Sequence, residues 1–95
     1  MGNIYIIGSG MIRFNKYPDK NVKTMAEESI NLALTDANLS GKEIQAAFFS
    51  NTFWGMFENQ HSIRGQVVFR GMGIDKIPVA NVENACAGAS TALHL

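Results

Sequence analysis

The stretch PVANVENACAGASTALHL, Pro78–Leu95, decides how this chain is read. Pro78–Val82 has the composition of a short buried strand, and Glu83-Asn84-Ala85 turns it toward a helix of very small residues beginning near Cys86. Cys86 is the chain's one cysteine and falls at that strand-to-helix junction. A lone cysteine is ordinarily a small buried hydrophobe. At a helix N-terminus the thiolate is stabilised, which lowers a pKa that starts near ~8.5. The free backbone N–H groups of such a terminus also suit an oxyanion formed during acyl transfer. Small residues at Ala87–Ser90 let neighbouring layers approach closely. This is the physical form of a nucleophile elbow, with sulfur in place of oxygen.

Upstream, Gln60–Met72 is expected to be helical, with Ile63, Val67, Val68 and Gly71 inward, and Arg64, Gln66 and Arg70 more polar. Gly73 suits its C-cap. Thr52–Asn59 reads as an aromatic loop. Its Phe53, Trp54 and Phe57 are candidates for a ligand tunnel or partner surface, and burial to hold the loop is the simpler reading. Met25, Met56 and Met72 need only core packing. Ala46–Asn51 is a second buried strand. Before it, Ser40-Gly41-Lys42-Glu43 fits a capping box that starts one short turn through Ile44.

From Val22 the period is helical. Val22, Met25, Ala26, Ile30, Ala33, Leu34 and Ala37 share one face; Lys23, Glu27, Glu28, Asn31 and Asp36 share the other. Asn38 is the expected stop, because asparagine tolerates the left-handed conformation. At the front, Asn3–Ile7 is a continuous β-branched and aromatic run, expected to be a strand buried on both faces. Gly8-Ser9-Gly10 ends it and Met11–Asn21 is an irregular loop. A dinucleotide-binding turn would require a third glycine where Arg13 stands, and an immediate helix, so a plain turn is expected. The resulting order is βαβαβα, which implies parallel strands with right-handed crossovers.

Composition sets further bounds. A chain of 95 residues with 46% hydrophobic and 17% charged content is one domain or part of one. Eight acidic and eight basic residues give no electrostatic case for nucleic acid or an anionic membrane as partner. One cysteine excludes an internal disulfide or a cysteine-rich zinc site. His61 and His94 lie in no Cys/His/Asp cluster, so no metal site is expected. His94 follows Cys86 by over two helical turns, roughly 12 Å of rise, and is not its base. The opening MGNIYIIGSG lacks a basic region, and its apolar run is short for a signal peptide; Ile6 spoils a myristoylation start. No stretch has the roughly 20 apolar residues of a membrane-spanning helix. The expectation is a cytoplasmic protein with a reduced thiol.

At this point the residues resemble a known family. Val82-Glu83-Asn84-Ala85-Cys86-Ala87-Gly88 resembles the nucleophile segment of thiolases, especially the sterol-carrier-protein-type and archaeal acetyl-CoA acetyltransferase branch. Ile7-Gly8-Ser9-Gly10-Met11 with Phe14 is similar to the family's opening strand and turn. Gln60-x-x-x-Arg64, then Gly73-Ile74, resembles its second helix and the turn after it. The resemblance covers essentially the whole chain. It implies an α/β protein, the N-terminal βαβαβα portion of a five-layered α-β-α-β-α fold, with the cysteine helix buried between two sheets.

The resemblance further implies that Cys86 is the nucleophile, with its own backbone N–H in the oxyanion hole. The family cysteine takes an acyl group from acyl-CoA as a thioester, and Claisen condensation or thiolysis follows. No bound cofactor is implied; a coenzyme A thioester is the substrate. A homo-oligomer pairing through the Pro78–Val82 strand is also implied. Many thiolases have Cys-Ala-Ser-Gly where this chain has Cys86-Ala87-Gly88-Ala89, so helix packing or substrate preference is expected to differ. The family's activating histidines, second acid/base cysteine and glycine-rich C-terminal loops fall beyond Leu95. Residues 1–95 are therefore expected to be a partial N-terminal domain, interrupted within the nucleophile helix and without normal turnover by itself. Two alternatives stand beside this reading. One is a ketoacyl-synthase or hydroxymethylglutaryl-CoA-synthase relative; the other is a non-catalytic fragment or interaction module.

Overall fold

The computed structural model describes residues 2–95, which fall into two compact units, 2–43 and Ile44–Leu95. The first is organised by α1, Val22–Ala37. Asn21 caps its start, its side-chain oxygen accepting from the Thr24 N–H at 2.8 Å. Asn38 closes it at φ 57°, and the Leu39 N–H reaches back to the Leu34 carbonyl at 2.9 Å. That is a Schellman ending, with asparagine in the left-handed position its sequence predicts. The expected apolar stripe from Val22 to Ala37 is half-buried throughout. Half of the expected capping box forms: Ser40 N–H donates to Glu43 Oε2 at 2.7 Å, while the Glu43 N–H donates to the Ser40 carbonyl at 3.1 Å, closing a 3-10 turn over Gly41–Glu43.

The glycines of Gly8-Ser9-Gly10 have a local purpose. A Cβ at Gly8 would stand 2.8 Å from the Ala33 carbonyl oxygen, and one at Gly10 would meet the Ser29 carbonyl oxygen and the Ala33 amide. The turn therefore lies on the backbone of α1, and Ser9 N–H donates to Asp36 Oδ2 at 3.0 Å.

Asn3–Ile7 corrects the expectation of a buried strand. It belongs to no sheet, and Ile4, Tyr5, Ile6 and Ile7 are exposed. A β-branched run becomes a strand only where another strand completes its hydrogen bonds. Its own unit contains no other strand among the described residues.

The second unit holds a two-stranded parallel sheet of β1, Ala47–Ser50, and β2, Val79–Val82. In register, Ala47 faces Val79, Phe48 faces Ala80, Phe49 faces Asn81 and Ser50 faces Val82. Two helices connect the strands: α2, Trp54–Glu58, and α3, Arg64–Gly71. The last helix, α4, is Gly88–His94. Strand alternation sends Phe49, Val79 and Asn81 toward α3, and Ser50 toward α4. The sheet is thus covered by a helix on each face, a mixed α/β arrangement with parallel strands.

Glycines set both helix–sheet approaches. A Cβ at Gly65 on α3 would lie 2.8 Å from Phe49 Cβ and 2.8 Å from Val79 Cγ1. One at Gly88 on α4 would overlap the Ser50 hydroxyl. The core is Ala47, Trp54, Val68, Phe69 and Ile74, with the Phe49 ring 6.2 Å from both the Trp54 and Phe69 rings.

Several boundaries differ from the sequence reading. Thr52–Asn59 contains α2, supported by Trp54 Nε1–H donating to Glu58 Oε1 at 2.9 Å and by Trp54 N–H donating to Asn51 Oδ1 at 2.7 Å. The next helix begins at Arg64 instead of Gln60, because Ile63 takes φ 45°, outside helical geometry. Ile63 is 57% exposed and Gly71 exposed, so Gly65, Val68 and Phe69 form the inward face. The β2 strand is half-buried or exposed along its length, against the buried strand expected.

Candidate active site

The two strands run in the same direction, so Ser50 and Val82 bring their C-terminal ends to one edge of the sheet. Crevices at this edge of parallel sheets are where ligands bind in open α/β folds. Three segments meet there. The chain leaving β1 enters at Asn51 and Thr52, the lead-in to α3 passes at Gln60–Arg64, and the chain leaving β2 turns through Glu83–Ala87.

Arg64 joins the first two. Its Nη1 donates to the Asn51 carbonyl at 2.7 Å and its Nε to the Gln60 carbonyl at 2.8 Å. The Gln60/Arg64 pair noted in the sequence is therefore a structural brace between the end of β1 and the start of α3. Asn81 supports the same region from β2. Its Oδ1 accepts from the Gly65 N–H at 2.6 Å, and its Nδ2 donates to Gln66 Oε1 at 2.7 Å. His61, Arg64, Asn81 and Glu83 line a small cleft of about 100 Å³ beside these bonds.

Cys86 is exposed and lies in a 3-10 turn, Ala85–Ala87, between β2 and α4. The junction is as expected, with one refinement: Cys86 precedes α4, which opens at Gly88. The turn is bonded on several sides. Ala85 has φ 47°, a left-handed conformation that costs a non-glycine residue about 1–2 kcal/mol. Its N–H donates to Glu83 Oε2 at 2.5 Å, and its carbonyl accepts from Thr52 Oγ1 at 3.2 Å. Ala87 N–H donates to the Asn84 carbonyl at 2.9 Å. Asn84 Nδ2 donates to Thr91 Oγ1 at 3.0 Å, and that hydroxyl donates to the Ala87 carbonyl at 2.8 Å. Thr52, Glu83, Asn84 and Thr91 thus fix the backbone around the thiol; the sequence places Glu83 and Asn84 in the turn but gives none of the four a part in holding it.

The other sequence candidates separate. His94 ends α4, and His61 lies in the cleft beside Arg64. Among the described residues, no three His, Cys, Asp or Glu side chains gather to hold a metal ion. Trp54 is buried against Phe49, while Phe53 and Phe57 are exposed and pack edge-on against each other at 6.2 Å. No helix among the described residues is long and apolar enough to cross a membrane.

Comparison with known proteins gives these features a family. No family model matches the chain. It is 34% identical over 95 residues to the non-specific lipid-transfer protein-like 2 of Caenorhabditis elegans, matching 97% of this chain and 22% of that protein. It is 30% identical over 94 residues to the acetyl-CoA acetyltransferase of Methanocaldococcus jannaschii, matching 99% of this chain and 24% of the relative. Sterol carrier protein 2 of Gallus gallus is 30% identical over 94 residues, with 97% of this chain and 16% of that protein covered. The chain therefore spans about a quarter or less of the length of these relatives. In structure it is similar to 3-oxoacyl-[acyl-carrier-protein] synthase III of Aquifex aeolicus, a thiolase-fold protein. The TM-score is 0.72 at 18% identity, over 92% of this chain and 27% of that one. The chain is similar in sequence to both groups of relatives that its cysteine segment resembles, and in fold to a thiolase-fold synthase; together these similarities support the N-terminal portion of the thiolase superfamily.

Proposed function

We propose that the chain carries the nucleophilic half-site of a thiolase-type acyltransferase of the acetyl-CoA C-acetyltransferase kind. The observation that carries this reading is an exposed Cys86 in a fixed elbow at the C-terminal end of a parallel strand. Similarity to an acetyl-CoA acetyltransferase over 99% of the chain supports it.

In this reading the Cys86 sulfur attacks the thioester carbonyl of an acyl-CoA. A new carbon–sulfur bond forms, the bond to coenzyme A breaks, and coenzyme A leaves as the thiol, with the cysteine's proton passing through solvent. The Cys86 backbone N–H donates to the carbonyl oxygen as negative charge develops on it. Claisen condensation or its reverse, thiolysis, then requires acid/base groups other than this cysteine. The chain alone is thus expected to stop at the acyl-thioester stage. Incubation with acetyl-CoA followed by peptide mapping tests this: acetyl on Cys86 supports the reading, and an unmodified Cys86 opposes it.

Likeness to the synthase at 18% identity concerns the fold, so the thiolase reading rests on relatives at 30% identity and above. We further propose that the unpaired edge of Pro78–Val82 pairs with a second copy of the chain. β2 has one strand neighbour, β1, among the described residues. Sedimentation equilibrium showing only monomer at high concentration would contradict that pairing.

A further inference from the structure

We infer that Thr52 and Glu83 are positioning residues that hold Ala85 in its left-handed conformation and thereby aim both the thiol and the N–H of Cys86. This rests on the reading of Cys86 as an acyl acceptor and assigns two further residues to its site.

The observations come from both strands. Ala85 has φ 47°, a conformation that an alanine leaves unless its surroundings hold it there. Side chains reach both of its backbone polar groups, and the carbonyl also accepts from the Gly88 N–H. Glu83 Oε2 accepts from the Ala85 N–H at 2.5 Å, and Thr52 Oγ1 donates to the Ala85 carbonyl at 3.2 Å. Thr52 follows β1, whereas Ala85 follows β2, so the second bond ties the elbow to the neighbouring strand. The Ala85 carbonyl belongs to the same peptide plane as the Cys86 N–H. Holding that carbonyl fixes the direction of the proposed oxyanion donor. Release lets Ala85 relax to negative φ, turning the plane and the donor with it.

A comparison of two reactions separates aiming from simple folding. Acyl transfer from acetyl-CoA needs the thiol and the N–H together, whereas alkylation by iodoacetamide needs only an accessible thiol. The full chain and its T52V, T52S, E83A and E83Q variants are measured in both reactions. Nuclear magnetic resonance scalar couplings report φ of Ala85 in each.

T52V and E83A are expected to lower the rate of Cys86 acetylation by tenfold or more. Their alkylation rates should stay within twofold of the parent, and the Ala85 coupling should move toward negative φ. T52S and E83Q keep the hydroxyl donor and an oxygen acceptor respectively, and are expected to retain the parent's behaviour. Unchanged acetylation and coupling in T52V and E83A would overturn the inference, as would equal loss of both reactions. If the parent is not acetylated but Ala85 shifts in T52V and E83A, the clamp stands and the acyl-acceptor reading fails. A parent lacking positive φ at Ala85 would overturn the clamp whatever its reactivity.

Discussion

Gly88 lies so close beneath Ser50 that a Cβ at position 88 would overlap the Ser50 hydroxyl oxygen, while standing 3.4 Å from Ser50 Cβ. The clash involves the tip of a small side chain. Gly88→Ala should therefore destabilise by about 1–2 kcal/mol, partly offset by alanine's better helix propensity. Removing the hydroxyl in S50A/G88A should recover most of the loss. Urea denaturation of the two single variants and the double variant measures the coupling; strict additivity would contradict the contact.

Gly65 presents a harder case. Its neighbours, Phe49 Cβ and Val79 Cγ1, are both 2.8 Å from where a Cβ would fall, and both belong to the sheet. Phe49 Cβ is fixed to its strand and cannot rotate away, and Val79 Cγ1 leaves only by a χ1 change of a stiff β-branched side chain. Gly65→Ala is expected to cost about 2–3 kcal/mol, more than Gly88→Ala, and S50A should not rescue it. A melting temperature equal to the parent's would sink the claim that α3 packs directly on β1 and β2.

Asn81 joins β2 to α3 by two bonds, and its substitutions should separate them. Asn81→Asp keeps an acceptor for the Gly65 N–H but loses the donor to Gln66 Oε1; Asn81→Ala loses both. The alanine variant should lose about 1–2 kcal/mol, and the aspartate variant less than half of that. Equal losses in urea titrations would show that the Gln66 bond, not the helix-capping one, dominates.

Lys20 offers a pH-dependent test in the first unit. Its ammonium lies 2.8 Å from Glu28 Oε1 and 4.9 Å from the centre of the Tyr17 ring. The hydrogen bond to Glu28 is the largest influence and raises the lysine above its ordinary 10.5, with burial opposing it. A raised folded-state value means that the stabilisation is fully present below 10.5 and fades as pH rises through the folded value. The small melting difference between the parent and K20A should stay constant from neutral pH to about pH 9 and shrink above 10.5. A difference that grew with pH would contradict this sign.

What was legible in the sequence follows the range of the forces involved. α1 is readable because its period and its asparagine stop are local patterns, and both appear where the residues place them, as does the Glu43 half of the Ser40–Glu43 box after it. The β1 strand and the Cys86 junction are equally local. Asn3–Ile7 carries the composition of a strand, but strand formation depends on a partner that the composition does not specify. α2 was hidden because Gly55 and the aromatic residues around it suggest a loop. The bonds that secure the helix, from Asn51 to Trp54 and from Trp54 to Glu58, were the available clue. Thr52 and Ala85 are 33 positions apart, and nothing in either residue's neighbourhood announces their bond. The position of Cys86 at the strand-to-helix junction was therefore legible, while the residues holding that turn depend on long-range pairing.

The most direct test of the central claim is intact-mass analysis of the chain after brief exposure to acetyl-CoA, with Cys86→Ala treated in parallel. The account predicts a single acetyl group on the parent, mapped to Cys86 and removed by added coenzyme A, and none on the variant. An unmodified parent, or equal acetylation of parent and variant at lysines, would contradict it.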